Sequence, residues 1–196
     1  MTVSVYQQTG LHLQEREIAR YLGLRGQAPD EALKGLMAEA EGSLKAGSYR
    51  VCYVRLPVQT DGSRLELGQD LVLQSTALAR NLSGCREVVL FCTTVGPLVD
   101  RGILANRLRP SRALVWDAAG TAAIEQLCDD FCAWLPRPQR PRFSPGYGDL
   151  PLSCQKDILK LLDAERLLGV RLTDSLLMTP CKSVTAFVGL DAEVSK

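Results

Sequence analysis

The chain has 196 residues, of which 46% are hydrophobic and 23% charged, and its formal net charge is +1. This length suits one domain with a sizeable core, and the near-neutral charge argues against binding to nucleic acid or to an anionic membrane. No run reaches the roughly 18 apolar residues that span a bilayer. The N-terminus also lacks the basic and apolar segments of a secretory signal, so we expect a cytoplasmic protein.

Residues 1–47 are predicted to form an N-terminal helical part of a single domain that spans residues 1–196. The spacing of apolar side chains predicts a first helix over residues 11–24. Pro29 and the two acidic residues after it predict the start of a second helix, because proline is tolerated in a first turn and acidic residues complement the helix dipole. This second helix is expected to end at Gly47.

The middle of the chain mixes strand and helix patterns. Residues 48–58 alternate β-formers and predict a strand, and residues 64–68 predict its return strand after a turn at Asp61 and Gly62. Helical spacing then predicts a helix over residues 70–82. The apolar, β-branched run of residues 86–96 predicts a buried strand.

Two helices are predicted over residues 97–108 and 111–135, the second capped by Ser111. An extended connector should follow, because closely spaced prolines exclude a helix. These prolines are Pro136, Pro138 and Pro141.

The C-terminal part begins with a predicted amphipathic helix over residues 154–169, which Ser153 is expected to cap and Gly169 to end. Residues 182–190 have the β-branched content of a closing strand. Hairpins and late strands interrupt any strict alternation of strand and helix. The predicted fold class is therefore α+β with a mainly antiparallel sheet.

The cysteines predict reduced thiols rather than a disulfide framework, because their number is odd and no signal peptide is present. Cys128 and Cys132 share one face of a predicted helix. A structural zinc ion usually needs four Cys or His ligands, and the chain has one histidine, His12, so we predict no metal site and interpret this pair as core packing. Cys154 opens a predicted helix, where a thiolate is stabilised, and is a candidate reactive thiol.

The segment from Arg142 to Leu152, RFSPGYGDLPL, has the most unusual composition. Its glycines allow a backbone to approach a ligand closely, and its prolines fix the turn. Arg142 offers a planar fork that suits a carboxylate, and Tyr147 adds an aromatic face and a hydroxyl. Together they fit a zwitterionic ligand with an aromatic base. The alternative is a Gly/Pro surface turn with a solvated arginine.

RFSPGY matches the Arg-x-x-x-Gly-Tyr signature of the activation domain of cobalamin-dependent methionine synthase. The similarity continues in register through Pro151, the helix that ends at Gly169, and GVRLTDSLLMTPCKSV. Upstream, TAAIEQLCDD resembles the Ala-rich helix of that family, and YLGLRGQAP and LSGCREVVLFCTTVG resemble its short, free-standing members. The chain thus resembles this family over roughly residues 84–190, and more weakly before them.

The resemblance implies a bent, mainly antiparallel sheet packed with helices, and a loop that binds S-adenosylmethionine. Arg142 would bind the carboxylate of this ligand, and Gly146 would permit close backbone approach. Tyr147, the implied catalytic residue, would stand beside the methyl-bearing sulfonium or the corrin. Glu125 would bind either the ammonium group or the ribose hydroxyls. The implied ligand-binding residues are Arg142, Ser144, Pro145, Gly146, Tyr147 and Glu125.

The function implied by the resemblance is that of an accessory module for reductive methylation, or reactivation, of cob(II)alamin. The corrinoid would be carried by a partner methyltransferase chain of a split methionine synthase, because this sequence lacks the Asp-x-His-x-x-Gly loop of corrinoid carriers. An electron-donor protein is a further expected partner, whereas nucleic acid and membrane are not. The chain would be one component of a methionine biosynthesis enzyme rather than a complete enzyme.

The sequence departs from the family at three places. Ser153 replaces a histidine, Glu17 is the candidate for an early ligand-binding aspartate, and the chain ends at Lys196, before a Tyr-bearing segment and a helical stretch of the synthase. The missing histidine and the missing C-terminal segment favour a second hypothesis, a docking or scaffold module for a corrinoid protein that does not bind S-adenosylmethionine. A third hypothesis is a thiol-dependent enzyme that uses Cys154.

Overall fold

The computed structural model describes residues 2–136 and 139–191. The helices and strands alternate irregularly along the chain. In chain order they are β1 (Ser4–Thr9), α1 (Glu15–Tyr21), α2 (Glu31–Lys45), β2 (Ser48–Asp61), β3 (Arg64–Leu67), β4 (Leu71–Gln74), α3 (Thr76–Asn81), β5 (Cys85–Thr94), α4 (Leu98–Ala105), α5 (Pro110–Trp134), a 3-10 turn (Leu152–Cys154), α6 (Gln155–Leu161), α7 (Ala164–Leu168), β6 (Arg171–Leu172), β7 (Met178–Thr179) and β8 (Ser183–Asp191).

The main sheet has six strands in the order β4-β3-β2-β5-β8, with β1 also paired to β2. Every strand pair in the described part of the chain is antiparallel. The predicted α+β fold with a mainly antiparallel sheet is confirmed. None of the helices within residues 2–136 and 139–191 is long and apolar enough to cross a membrane.

Helices cover both faces of this sheet. On β5, Val89 and Phe91 face a core shared with α1, α2 and α5, whereas Val88 and Leu90 face a second core shared with α3, α6 and α7. A strand buried on both faces needs apolar side chains at successive positions. This explains why β5 reads as an unbroken apolar run, as the sequence predicts.

Helix α5 connects the core to the outer surface. Its inner face is rich in buried alanines, which allow close packing, and its outer face carries Glu125 and Asp129. The helix also lies close to α4, because a Cβ atom added at Gly120 would be 2.6 Å from Cγ1 of Val99. Close packing on one face thus fixes the acidic side chains on the other.

The N-terminal segment differs from its prediction. Strand β1 is absent from the predicted elements, and the predicted helix over residues 11–24 is shortened to α1, with Leu11 and Leu13 buried in the segment before it. Strand β1 has largely polar side chains and is held by pairing with the first half of β2. Such long-range pairing leaves no periodic pattern in the local sequence.

The predicted helix over residues 70–82 is wrong in its first half. Residues Leu71–Gln74 form β4, in which Leu71 and Leu73 are buried and Val72 is exposed. This alternation has the period of a strand, and pairing with β3 selects it over the helical spacing. Helix α3 follows, with Ser75 as its N-cap.

Two predicted helix caps are also wrong. Helix α5 begins at Pro110, whose fixed φ suits a first helical position, so Ser111 lies inside the helix. Ser153 lies in the 3-10 turn and caps nothing with its side chain. The predicted helix over residues 154–169 is divided at Asp163, which has a φ of +50°, and this break allows Ala164 to reach the core beside α6.

The short hairpin of β6 and β7 is not predicted, whereas the other elements agree broadly with their predictions. Asp30 caps α2 by accepting a hydrogen bond of 2.7 Å from the amide of Leu33. Gly169 ends α7 with a φ of +72°. After residues 137 and 138, the predicted extended connector lies along β8, where Gln139 forms a bridge with Leu190. Pro138 lies outside the described residues.

Glycine-to-alanine substitutions in α5 and α2 test this packing. Gly120→Ala should lower the free energy of unfolding by about 1–3 kcal/mol, because its methyl group would collide with Val99. Gly42 lies at an exposed position of α2 with open space around it. Gly42→Ala should therefore raise the free energy of unfolding by about 0.5–1 kcal/mol. Urea unfolding followed by circular dichroism measures both. Equal effects of the two substitutions would contradict the close packing of α4 on α5.

Candidate functional site

Residues 142–152, named here the signature loop, are anchored to the edge of β8. The amide of Phe143 donates to the carbonyl of Phe187 at 2.9 Å, and the amide of Phe187 donates back at 2.8 Å. Within the loop, the amide of Gly146 donates to the carbonyl of Leu150 at 2.9 Å, and Gly146 has a φ of +88°. The loop is therefore closed by its own backbone, as a rigid turn requires.

The signature loop has a second anchor at Asp149. Its carboxylate accepts hydrogen bonds from Ser75 Oγ at 2.5 Å and from the amides of Thr76 and Ala77 at 2.8 and 3.0 Å. The Ser75 hydroxyl and these two amides hold the pKa of Asp149 well below its usual range. The sequence does not predict this contact, because the partners lie far apart along the chain and no local pattern connects them.

Arg142, at the start of the loop, lies against α5. Its Nη2 donates to Glu125 Oε2 at 2.9 Å and to Asp129 Oδ1 at 2.8 Å. Residues four positions apart share one face of a helix, so a single guanidinium reaches both carboxylates. Burial acts to lower the pKa of Arg142, but the surrounding negative charges outweigh it and raise this pKa above its ordinary value. Arg142 therefore stays charged although its side chain is only 25% exposed.

The structure thus brings together two residues that the resemblance predicts separately, Arg142 and Glu125. It adds Asp129, which is not among the residues that the resemblance implies. The sequence signal that would have indicated Asp129 is its position one helical turn after Glu125, which places both carboxylates on the same face of the helix.

A cleft of about 310 Å³ lies between α1 and α5, next to this ion-pair cluster. Glu17, the candidate for an early ligand-binding acid, shares the cleft with Glu125 and Asp129. Glu17 is paired with Arg20 at 2.8 Å. The cleft is lined by Leu13, Gln14, Arg16, Glu17, Arg20, Tyr21, Ala122, Glu125, Gln126 and Asp129. It is predominantly polar and offers carboxylates to a cationic ligand.

The other predicted ligand residues lie further along the loop. Pro145 is buried, and the carbonyl of Ser144 accepts a hydrogen bond of 3.2 Å from the amide of Tyr147. The Tyr147 side chain is 69% exposed, with its ring centre 6.2 Å from that of Phe143. Among the contacts seen in the described residues, none joins Tyr147 to Glu125. The roles of Ser144, Pro145, Gly146 and Tyr147 in ligand binding stay predictions.

Cys154 and Cys128 are poor candidates for chemistry. Cys154 is 8% exposed, and burial together with the nearby Asp157 raises its pKa to about 11. The expected stabilisation of a thiolate at this position is wrong, because desolvation outweighs the helix start. Cys128 is fully buried in the core, and burial raises its pKa as well. No group of side chains suited to holding a metal ion occurs in residues 2–136 and 139–191.

Residues 137–195 match the family model of the vitamin B12 dependent methionine synthase, activation domain. The whole chain is similar to the crystal structure of the MetH reactivation domain bound to AdoHcy, with a TM-score of 0.69 and 15% sequence identity, covering 100% of this chain and 80% of that one. A search of curated proteins gives no match. The predicted resemblance to the activation domain is thus confirmed, and the chain has the fold of the reactivation domain.

Proposed function

We propose that this chain, which has the activation-domain fold, binds S-adenosylmethionine and assists the reductive methylation of cob(II)alamin on a corrinoid methyltransferase chain of a split methionine synthase. The observation that carries the proposal is the position of Arg142 against Glu125 and Asp129, beside a cleft that also holds Glu17. Two comparisons support it: the family match includes the signature loop, and the similar MetH domain was crystallised with AdoHcy.

The charges around the cleft suit this ligand. S-adenosylmethionine carries one carboxylate and two cationic groups, the ammonium and the sulfonium. The hydrogen bonds to Glu125 and Asp129 both use Nη2, and the planar guanidinium has Nε and Nη1 as further donors that suit the ligand carboxylate. Glu17 and Glu125 supply negative charge for the cationic groups. The cleft volume of about 310 Å³ lies at the lower end of the range for small-molecule pockets.

We propose that Glu125 binds the ammonium group of the ligand and not its ribose hydroxyls. The carboxylate and the ammonium of the ligand are attached to the same carbon atom, so the side chains that bind them must be neighbours. Glu125 Oε2 lies 2.9 Å from Arg142 Nη2, which meets this requirement. This assignment leaves the adenosine end to the remainder of the cleft and to the loop.

The contribution of the chain is binding and orientation. The bound ligand supplies its methyl group and, together with one electron from a donor protein, converts cob(II)alamin on the partner to methylcobalamin, leaving S-adenosylhomocysteine. The signature loop, anchored at Phe143 and Asp149, holds its shape before the ligand arrives. Such preorganisation lowers the entropic cost of aligning the methyl group with its acceptor. The exposed ring of Tyr147 suits a residue that meets the corrin of an approaching partner.

A docking or scaffold module is the second candidate, and one observation favours it. Glu125 and Asp129 already balance the charge of Arg142, so the cluster is complete as a structural ion-pair network. Under this alternative the chain binds a corrinoid protein but not S-adenosylmethionine.

The substitution Arg142→Ala distinguishes these functions. It should weaken S-adenosylmethionine binding by about 10–100-fold, because it removes charge-assisted hydrogen bonds to the ligand carboxylate. Isothermal titration calorimetry on the purified chain measures this change. Arg166→Ala is the matched control, since Arg166 is an exposed, ion-paired arginine on α7, outside the cleft, and should leave the affinity unchanged.

Absence of binding by the native chain, even with the corrinoid partner present, would contradict the ligand proposal. If the Arg142→Ala variant also kept full affinity for that partner and full activity with it, the scaffold function would be favoured.

The substitution Glu125→Gln tests the assignment of the ammonium group. It should weaken S-adenosylmethionine binding by about 10-fold, as expected for loss of one charged contact. Binding of 5′-methylthioadenosine, which keeps the ribose but lacks the amino-acid part, should stay unchanged. Competition calorimetry measures both, with Glu39→Gln on α2 as the control, since Glu39 is also paired with an arginine. Equal weakening of both ligands would assign Glu125 to the ribose instead.

A further inference from the structure

We propose that Asp149 is a positioning residue. The hydrogen bonds of its carboxylate to the start of α3, named here the latch, hold the signature loop against this helix and so set the positions of Arg142 and Tyr147 for the ligand. This inference deepens the proposed function and rests on it. Nothing in the signature Arg-x-x-x-Gly-Tyr includes Asp149, which lies two residues after its tyrosine.

The latch uses both carboxylate oxygens. Oδ1 accepts from Ser75 Oγ and from the amide of Ala77, and Oδ2 accepts from the amide of Thr76. Three donors from consecutive residues fix the orientation of the carboxylate as well as its position. Ser75 is itself only 1% exposed, so the latch joins the loop to a buried anchor.

The backbone approach at Gly148 brings the two segments together. Gly148 has a φ of +56°, and a Cβ atom added there would lie 2.8 Å from the Cβ of Ala77. A side chain would therefore push the loop away from α3. The glycine and the aspartate that follows it act as one unit, which allows close approach and then fastens it.

The latch reaches the ligand-binding residues through short backbone contacts. The amide of Leu150 donates to the carbonyl of Tyr147 at 3.0 Å, and the amide of Gly146 donates to the carbonyl of Leu150 at 2.9 Å. Holding residues 149 and 150 therefore holds the tip at residues 146 and 147. The other end of the loop is held by Phe143 on β8, so Arg142 and Tyr147 are positioned by two separate anchors.

Asp149 does more than cap α3. Ser75 already serves as the N-cap of this helix, because its Oγ accepts from the amide of Leu78 at 3.0 Å. Leu78 is fully buried and seats α3 in the core. The helix is thus anchored without the carboxylate, and the distinct effect of Asp149 is to attach the loop to the helix.

The test compares Asp149→Ala with Asp30→Ala in calorimetric titrations with S-adenosylmethionine. Asp30 is a matched control, because its carboxylate caps α2 outside the cleft. Asp149→Ala should weaken binding at least 10-fold at a temperature where circular dichroism shows both variants to be folded, and Asp30→Ala should leave it unchanged. Asp149→Asn replaces Asp149→Ala if the alanine variant does not fold. Ser75→Ala should weaken binding in the native background but not in the Asp149→Ala background, because it acts through Asp149.

Amide hydrogen exchange gives a readout without ligand. Exchange at Tyr147 and Leu150 should accelerate at least 10-fold in Asp149→Ala and stay unchanged in Asp30→Ala. If the native chain does not bind S-adenosylmethionine, the proposed function fails and exchange alone decides whether the latch exists. Native-like exchange in Asp149→Ala, native-like affinity in that variant, or equal loss of affinity in both variants would overturn the inference.

Discussion

The reciprocal pairing of Phe143 with Phe187 decides where the signature loop lies. Strand β8 is paired to β5, the strand buried between both cores, so the loop is attached next to the buried centre of the sheet. From this attachment Arg142 reaches α5 and, seven residues later, Asp149 reaches α3. The site depends on one backbone pairing that brings an irregular segment to helices on both faces of the sheet.

One face of helix α5 packs in the core and stabilises the fold, and the other face carries carboxylates of the candidate site. Its buried alanines and Gly120 allow close packing on the sheet and on α4, which leaves Glu125 and Asp129 at a fixed distance from the loop. The same carboxylates lie in the cleft with Glu17 of α1. An acidic cluster of this kind is tolerated because Arg142 offsets its charge. A ligand with both a carboxylate and an ammonium group can join this network without leaving a charge unpaired.

Sequence patterns predict those elements of the fold that are determined by residues close together in the sequence. The burial of β5, the acidic start of α2, the Gly/Pro content of the loop and a carboxylate-binding role for Arg142 are all visible in the sequence, and family resemblance adds Glu125. Strands β1 and β4 are not predicted because pairing with β2 and β3 selects them. The break at Asp163 and the contacts of Asp149 likewise follow from packing between distant segments.

A crystal structure of the chain with S-adenosylhomocysteine, the product of methyl transfer, tests the central claim most directly. We expect the ligand carboxylate within hydrogen-bonding distance of Arg142, its ammonium group at Glu125, and a signature loop unchanged in shape. A ligand bound elsewhere, or a cleft that stays empty at millimolar ligand with Arg142 still held by Glu125 and Asp129, would contradict this account.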